Sequence, residues 1–119
     1  MKRTFSLVAV LAVAAATAFA AVGYAGSNAA TTTTVKVTIK NFHFTLSKHS
    51  ARHGKVTFVV TNKDKIKHDF KIAGKKTPLL KKGQTKSITV TLKKGKKYTY
   101  ICTVPGHAAA GMKGTFKAT

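Results

Sequence analysis

The chain has 119 residues, 22 of them Lys or Arg and 2 Asp or Glu, for a formal net charge of +20. There is no glutamate, and Asp64 and Asp69 are the only acidic side chains, so paired-carboxylate acid–base catalysis is nearly excluded. The single cysteine, Cys102, permits no internal disulfide, argues against a structural zinc site built on several thiolates, and excludes a two-copper centre bridged by a thiolate pair.

The N-terminus reads as an export signal. Met1-Lys2-Arg3 is a basic head, no charge follows from Thr4 to Val35, and the run from Phe5 to Ala25 is mostly Ala, Val and Leu. Small-x-small cleavage patterns occur at Ala18-Phe19-Ala20 and Gly23-Tyr24-Ala25. Residues 1–25 are therefore expected to be a secretory signal peptide. An uncleaved membrane anchor is the rival, because about 20 apolar residues can span a bilayer. Ala-rich runs insert weakly, which favours cleavage. Removal of Lys2 and Arg3 would take the net charge from +20 to +18. Residues 26–34, with Ser27-Asn28-Ala29-Ala30 and four threonines, have nothing to bury and read as a flexible linker. The expected location is periplasmic, extracellular or cell-surface, with membrane tethering if the segment is retained.

From Val35 to Thr119 the signal is alternation. Val35, Val37 and Ile39 share one face; Phe42, Phe44 and Leu46 resume the pattern after a break at Asn41. Ser47 to Gly54 is a polar loop, Lys55 to Thr61 a strong strand, and Asn62-Lys63-Asp64 turn chemistry. Ile66, His68, Phe70 and Ile72 then fall on one face, with Lys65, Lys67, Asp69 and Lys71 opposite. Gly74 to Gly83 is a loop. Ile88, Val90 and Leu92 form one strand face, Tyr98, Tyr100 and Cys102 another, and a last strand runs from about Met112 to Lys117. Seven or so short strands and no amphipathic helix predict an all-β protein, an antiparallel two-sheet Greek-key β-sandwich.

Parity points His68 and Cys102 into the core. A histidine on an apolar face is costly without a partner, and one satisfied by a hydrogen bond is the bland explanation for His68 alone. Its company argues otherwise. In Tyr100-Ile101-Cys102-Thr103-Val104-Pro105-Gly106-His107-Ala108-Ala109-Ala110-Gly111-Met112, a thiolate, an imidazole and a thioether recur at intervals of five. Pro105 stiffens the loop, Gly106 lets it bend, and the small residues after His107 let it close tightly. Two imidazoles and a thiolate in a plane, with a long axial thioether, suit both Cu(I) and Cu(II) and leave no position for a substrate. One copper ion per chain, held by His68, Cys102, His107 and Met112, is the expectation. A lone thiol in an exported protein is otherwise prone to oxidation.

These features resemble the cupredoxins, the small blue (type 1) copper proteins. The resemblance covers Val35 to Thr119. It rests on Phe42-x-Phe44, on Gly54-Lys55-Val56-Thr57-Phe58 leading to Asn62, on His68-Asp69-Phe70, and on the Cys102–Met112 loop. It implies electron transfer rather than catalysis, the same four ligands, and a role for Asn62 in tying the cysteine loop by hydrogen bonds. The loop spacing is longer than in plastocyanin and resembles the rusticyanin, auracyanin and sulfocyanin types. Of the remaining histidines, His43 is expected to be solvated, and His49 and His53 lie in a polar loop and are weak candidates for a second metal.

Lysine pairs on several loops imply an acidic redox partner, or an anionic membrane or wall surface, and association that weakens with salt. Docking is expected through apolar contact around His107, with the protein monomeric. A copper carrier or storage protein is the alternative, although such proteins favour Met- or His-rich surface sites and this chain has only Met1 and Met112. A basic polyanion-binding domain is the alternative of another class. Export and the scarcity of exposed aromatics speak against nucleic acid.

Overall fold

A computed structural model describes residues 31–119 of the chain. The expected signal segment and most of the expected linker lie outside the described residues. Nine strands are present among them: β1 (Thr33–Lys40), β2 (His43–Leu46), β3 (Ser50–Ala51), β4 (Gly54–Asn62), β5 (Lys71–Ile72), β6 (Lys75–Lys76), β7 (Thr85–Leu92), β8 (Lys97–Ile101) and β9 (Lys113–Ala118). They form a four-stranded sheet in the order β2-β1-β4-β7 and a five-stranded sheet in the order β3-β9-β8-β5-β6.

The two-sheet sandwich is as the alternation implies, with one difference in pairing. β1 runs parallel to β4, and β3 parallel to β9, so both sheets are mixed rather than wholly antiparallel. Parallel neighbours need a crossover, and the stretch from Asn41 to His53 supplies one. β1 also begins inside the expected linker. Thr33 lies opposite Val56 and Thr34 opposite Thr57, and β-branched threonines suit such an extended start.

The inward faces are the apolar ones. Val35, Val37 and Ile39 from β1, Val56, Phe58 and Val60 from β4, and Val90 and Leu92 from β7 are all buried. Across the interior, Phe58 meets Phe70 and Phe116 with ring centroids 5.4 and 5.2 Å apart, the first pair tilted and the second edge to face. Such pairs add about 0.5–1.5 kcal/mol each beyond the area they bury. Gly114 faces Tyr100 on β8. A methyl group at position 114 would fall within 2.8 Å of Tyr100 Cε1, so only glycine lets that ring lie flat across the strand.

Between β4 and β5 the chain leaves the strand pattern. Only Lys71–Ile72 is strand; His68 forms an isolated bridge with Leu80. Ile66, expected inside, is 48% exposed, and Asp69, expected outside, is 2% exposed. His68, Asp69 and Phe70 are all buried, three in a row, which a regular strand with one face to solvent does not do.

Candidate metal centre

His68 is held at its backbone. Its N–H donates to Leu80 O (3.3 Å) and its carbonyl accepts from Leu80 N–H (2.8 Å). The loop before it is shaped by Asn62, fully buried at the end of β4. Asn62 Nδ2 donates to Ile66 O (2.9 Å) and Leu80 O (2.6 Å), and its Oδ1 accepts from Asp64 N–H (2.9 Å). Asn62 thus organises the histidine loop. It does not tie the cysteine loop, as the family resemblance implied.

That tie is made by Asp69. Its carboxyl group accepts from the Thr103 N–H (2.6 Å) and from the Thr103 hydroxyl. The backbone N–H groups of Asp69 and Val104 favour the ionised form of the Cys102 sulfur. Cys102, 1% exposed, follows β8 directly, and its N–H donates to Met112 O (3.1 Å). The intervening loop closes through His107 N–H to Val104 O (3.0 Å) and Met112 N–H to His107 O (3.1 Å). Gly106 and Gly111 have φ of 85° and 115°, a region that L side chains avoid. The loop returns His107 to the sulfur and buries Met112 completely.

Three of the four expected ligands converge by measured distance. His68 Nδ1 lies 3.0 Å from His107 Nδ1 and 4.0 Å from Cys102 Sγ; His107 Nδ1 lies 3.5 Å from that sulfur. With Zn-like bond lengths of about 2.0 Å to nitrogen and about 2.3 Å to sulfur, an ion in a trigonal plane would space its donors about 3.5 Å (N···N) and about 3.7 Å (N···S) apart. The two N···S distances, 3.5 and 4.0 Å, bracket the second value, whereas the N···N distance of 3.0 Å is about 0.5 Å shorter than the first. Three lone-pair atoms facing one another at this range repel unless a proton or a cation lies between them, and the N₂S set favours a soft transition metal. His68, Cys102 and His107 form a potential metal-holding group among the described residues, and His43, His49 and His53 are not part of it. His53 is engaged elsewhere, its Nδ1 2.9 Å from Thr119 O.

Two features near the triangle are not apparent from alternation. The first is Asp64. His68 Nε2–H donates to Asp64 Oδ2 (2.8 Å), which fixes the tautomer and leaves Nδ1 as the free donor atom. The same carboxylate accepts from Asn41 N–H (2.7 Å) and Phe42 N–H (3.1 Å). Burial works to raise its pKa, but the Phe42 and Asn41 amides and His68 outweigh it and hold it below the ordinary value. The second feature is the turn those amides belong to. Asn41 and Phe42 both have positive φ, 51° and 59°, in a two-residue connection between Lys40 and its partner His43. Such turns need two left-handed residues, and phenylalanine is a strained choice. The strain places the Phe42 ring edge-on to both histidines, with centroids 5.2 Å from His68 and 5.0 Å from His107. The sequence held one clue. In a chain with two acidic residues, both lie within four positions of His68.

Burial pushes the Cys102 thiol up, an effect opposed by the two amides and reinforced by the charge of Asp69. His107 is held below the ordinary histidine value by burial and then by His68, with Asp69 opposing. In a metal-free site both effects keep the donors neutral, and a cation would reverse the balance at sulfur. His68 is fully buried, whereas His107 is half-buried and reaches the surface.

A β-sandwich holding one closed site of two imidazoles and a thiolate defines the class of single-ion, soft-metal β proteins. The comparisons place the chain within it. The family described as a cupredoxin-like domain matches residues 7–115, and the chain belongs to that family. Auracyanin-B of Chloroflexus aurantiacus is 46% identical over 43 residues, which are 36% of this chain and 18% of that protein. The match thus spans under a fifth of that relative's length. Among solved structures, reduced auracyanin from Roseiflexus castenholzii aligns with a TM-score of 0.63 at 21% identity, covering 73% of this chain and 97% of that one. Auracyanin A, described as a blue copper protein from Chloroflexus aurantiacus, aligns with a TM-score of 0.60 at 20% identity, covering 75% and 100%. At these identities the structural likeness establishes the fold.

Proposed function

We propose that this protein is an exported one-electron carrier in which His68, Cys102, His107 and Met112 would hold a single type 1 copper ion. The observation that supports it most is the convergence of two Nδ1 atoms and one sulfur, 3.0 to 4.0 Å apart, beneath the Phe42 ring. Bound there, copper would supply a reversible Cu(I)/Cu(II) couple. The chain's own residues do the rest. Asp64 and Leu80 fix the His68 ring and backbone, Asp69 fixes the cysteine loop, and Phe42 keeps water from the two imidazoles. Donors anchored in this way need little movement when an electron arrives or leaves. With no unshared ligand position, the site suits transfer rather than bond-making, so the protein is read as a carrier and not an enzyme. The half-buried His107, among Val104, Pro105 and the alanines, is where the ligand shell meets the surface.

Residues 1–25 serve as the export signal and the residues up to β1 as a linker, with the cupredoxin-like domain following. The partners are redox proteins with acidic faces, drawn by the lysines, and an anionic membrane or wall surface is a further candidate for so basic a domain. The test is the visible spectrum of the copper-loaded protein together with its voltammetry. An intense visible thiolate-to-copper band, lost in Cys102→Ser, and one reversible one-electron wave are expected. A colourless protein that exchanges copper rapidly without a reversible wave would overturn the proposal.

A further inference from the structure

Beside the metal centre lies a surface cleft of about 380 Å³, lined in part by Asp64, the carboxylate bonded to His68. Its lining includes Lys40, Lys63, Lys65 and Lys82, together with Ile66. Four of its eight lining residues are lysines, whereas Lys and Arg together make up 22 of the 119 residues of the chain. All four lysines are exposed. Among the described residues, Ile66 is one of two large apolar side chains standing out in solvent, at 48% exposure, and the other, Leu79, is 53% exposed. A concave, strongly positive surface with an apolar side chain in its wall has the composition of a recognition site: charge to steer and orient, an apolar anchor to hold. Ordinary solvated lysine faces lack both the concavity and the exposed isoleucine.

The floor of the cleft belongs to the metal centre. Phe42 and Asp64 both line it. Asp64 is hydrogen-bonded to His68, and Phe42 touches both imidazoles. An occupant of the cleft would therefore lie one hydrogen bond from His68 through Asp64, and one ring contact from His107 through Phe42.

We propose that this cleft is a docking site for an acidic segment of a redox partner protein, one carrying an apolar residue flanked by carboxylates. The carboxylates pair with Lys40, Lys63, Lys65 and Lys82, and the apolar residue packs on Ile66. Asp64 is the single negative charge among the lining residues, and against four lysines it leaves the cleft with a net positive charge. The inference deepens the electron-carrier reading and rests on it for the partner's redox role, but the docking surface itself does not require copper.

The experiment uses a synthetic peptide of glutamates flanking one leucine, titrated into the full-length protein with and without copper and followed by amide chemical shifts. Shifts concentrated at Lys40, Lys63 to Ile66 and Lys82 are expected, in both forms. The charge-reversed pair Lys63→Glu/Lys65→Glu should weaken binding at least about tenfold more than Lys96→Glu/Lys97→Glu, which changes the net charge equally. Ile66→Ser should weaken it further without altering the salt dependence. Equal weakening by the two pairs, or shifts spread evenly over every lysine loop, would overturn the docking site in favour of an unfocused basic field. Cleft-specific binding by a protein that takes up no copper as a redox ion would sink the electron-carrier reading and leave the docking site standing.

Discussion

Replacing Asp64 with alanine removes one acceptor from three donors at once: the amides of Asn41 and Phe42, at 2.7 and 3.1 Å, and the ring Nε2–H of His68 at 2.8 Å. The three are not equal. His68 is fully buried, and its orphaned donor costs about 1–3 kcal/mol. The turn amides can reach water, so they contribute about 0.5–1 kcal/mol together. The expected loss is about 2–4 kcal/mol, or a fall in Tm of about 10–25 °C for a domain of this size. Asp64→Asn keeps a carbonyl oxygen and should lose about half as much. Thermal unfolding of the metal-free protein reads the loss. Hydrogen exchange at Asn41 and Phe42, and the ¹⁵N shifts of the His68 ring, report where it arises. A variant that melts within a degree or two of the parent, with the His68 tautomer unchanged, would refute the reasoning.

Three further outcomes are expected. Asp69→Ala should destabilise the protein by about 2–4 kcal/mol in denaturant unfolding, because it strips the half-buried Thr103 of both partners and empties a place where the carboxyl group is 2% exposed, whereas Asp69→Asn can still accept from the Thr103 amide and should cost about half that. Gly114→Ala should cost about 1–3 kcal/mol, since its methyl group would collide with the Tyr100 ring, and Tyr100→Leu in the same background should recover part of it in a double-mutant cycle. The pKa of His107 is depressed in the folded, metal-free protein, so the unfolded chain takes up its proton first as acidity rises. Metal-free Tm should therefore decline as pH falls below the ordinary histidine value of about 6.5, and that part of the decline should vanish in His107→Ala. A metal-free Tm that rose over the same interval would contradict the sign.

Strands were legible wherever a face is buried against the opposite sheet. Val35, Val37 and Ile39, and Val56, Phe58 and Val60, alternate because β1 and β4 lie side by side in the middle of one sheet. The convergence of Cys102 and His107 was legible from loop chemistry, a strand end followed by Pro105-Gly106. Period-two reading failed between Lys65 and Phe70, where the backbone pairs only at His68 and turns inward to present two consecutive polar residues. It failed again at Phe42, which is a turn residue in left-handed geometry rather than the first residue of a strand. In both places the local pattern is overruled by the needs of the site. The histidine must be oriented and the cysteine loop fastened, and the only two side-chain carboxyl groups of the sequence are spent on those tasks.

X-ray absorption at the copper edge of the loaded protein tests the central claim most directly. A shell of two imidazole nitrogens with one short sulfur, the sulfur lost in Cys102→Ser and one imidazole lost in His68→Gly, is the expected result. Copper surrounded by oxygen and nitrogen alone, unchanged in both variants, would contradict it.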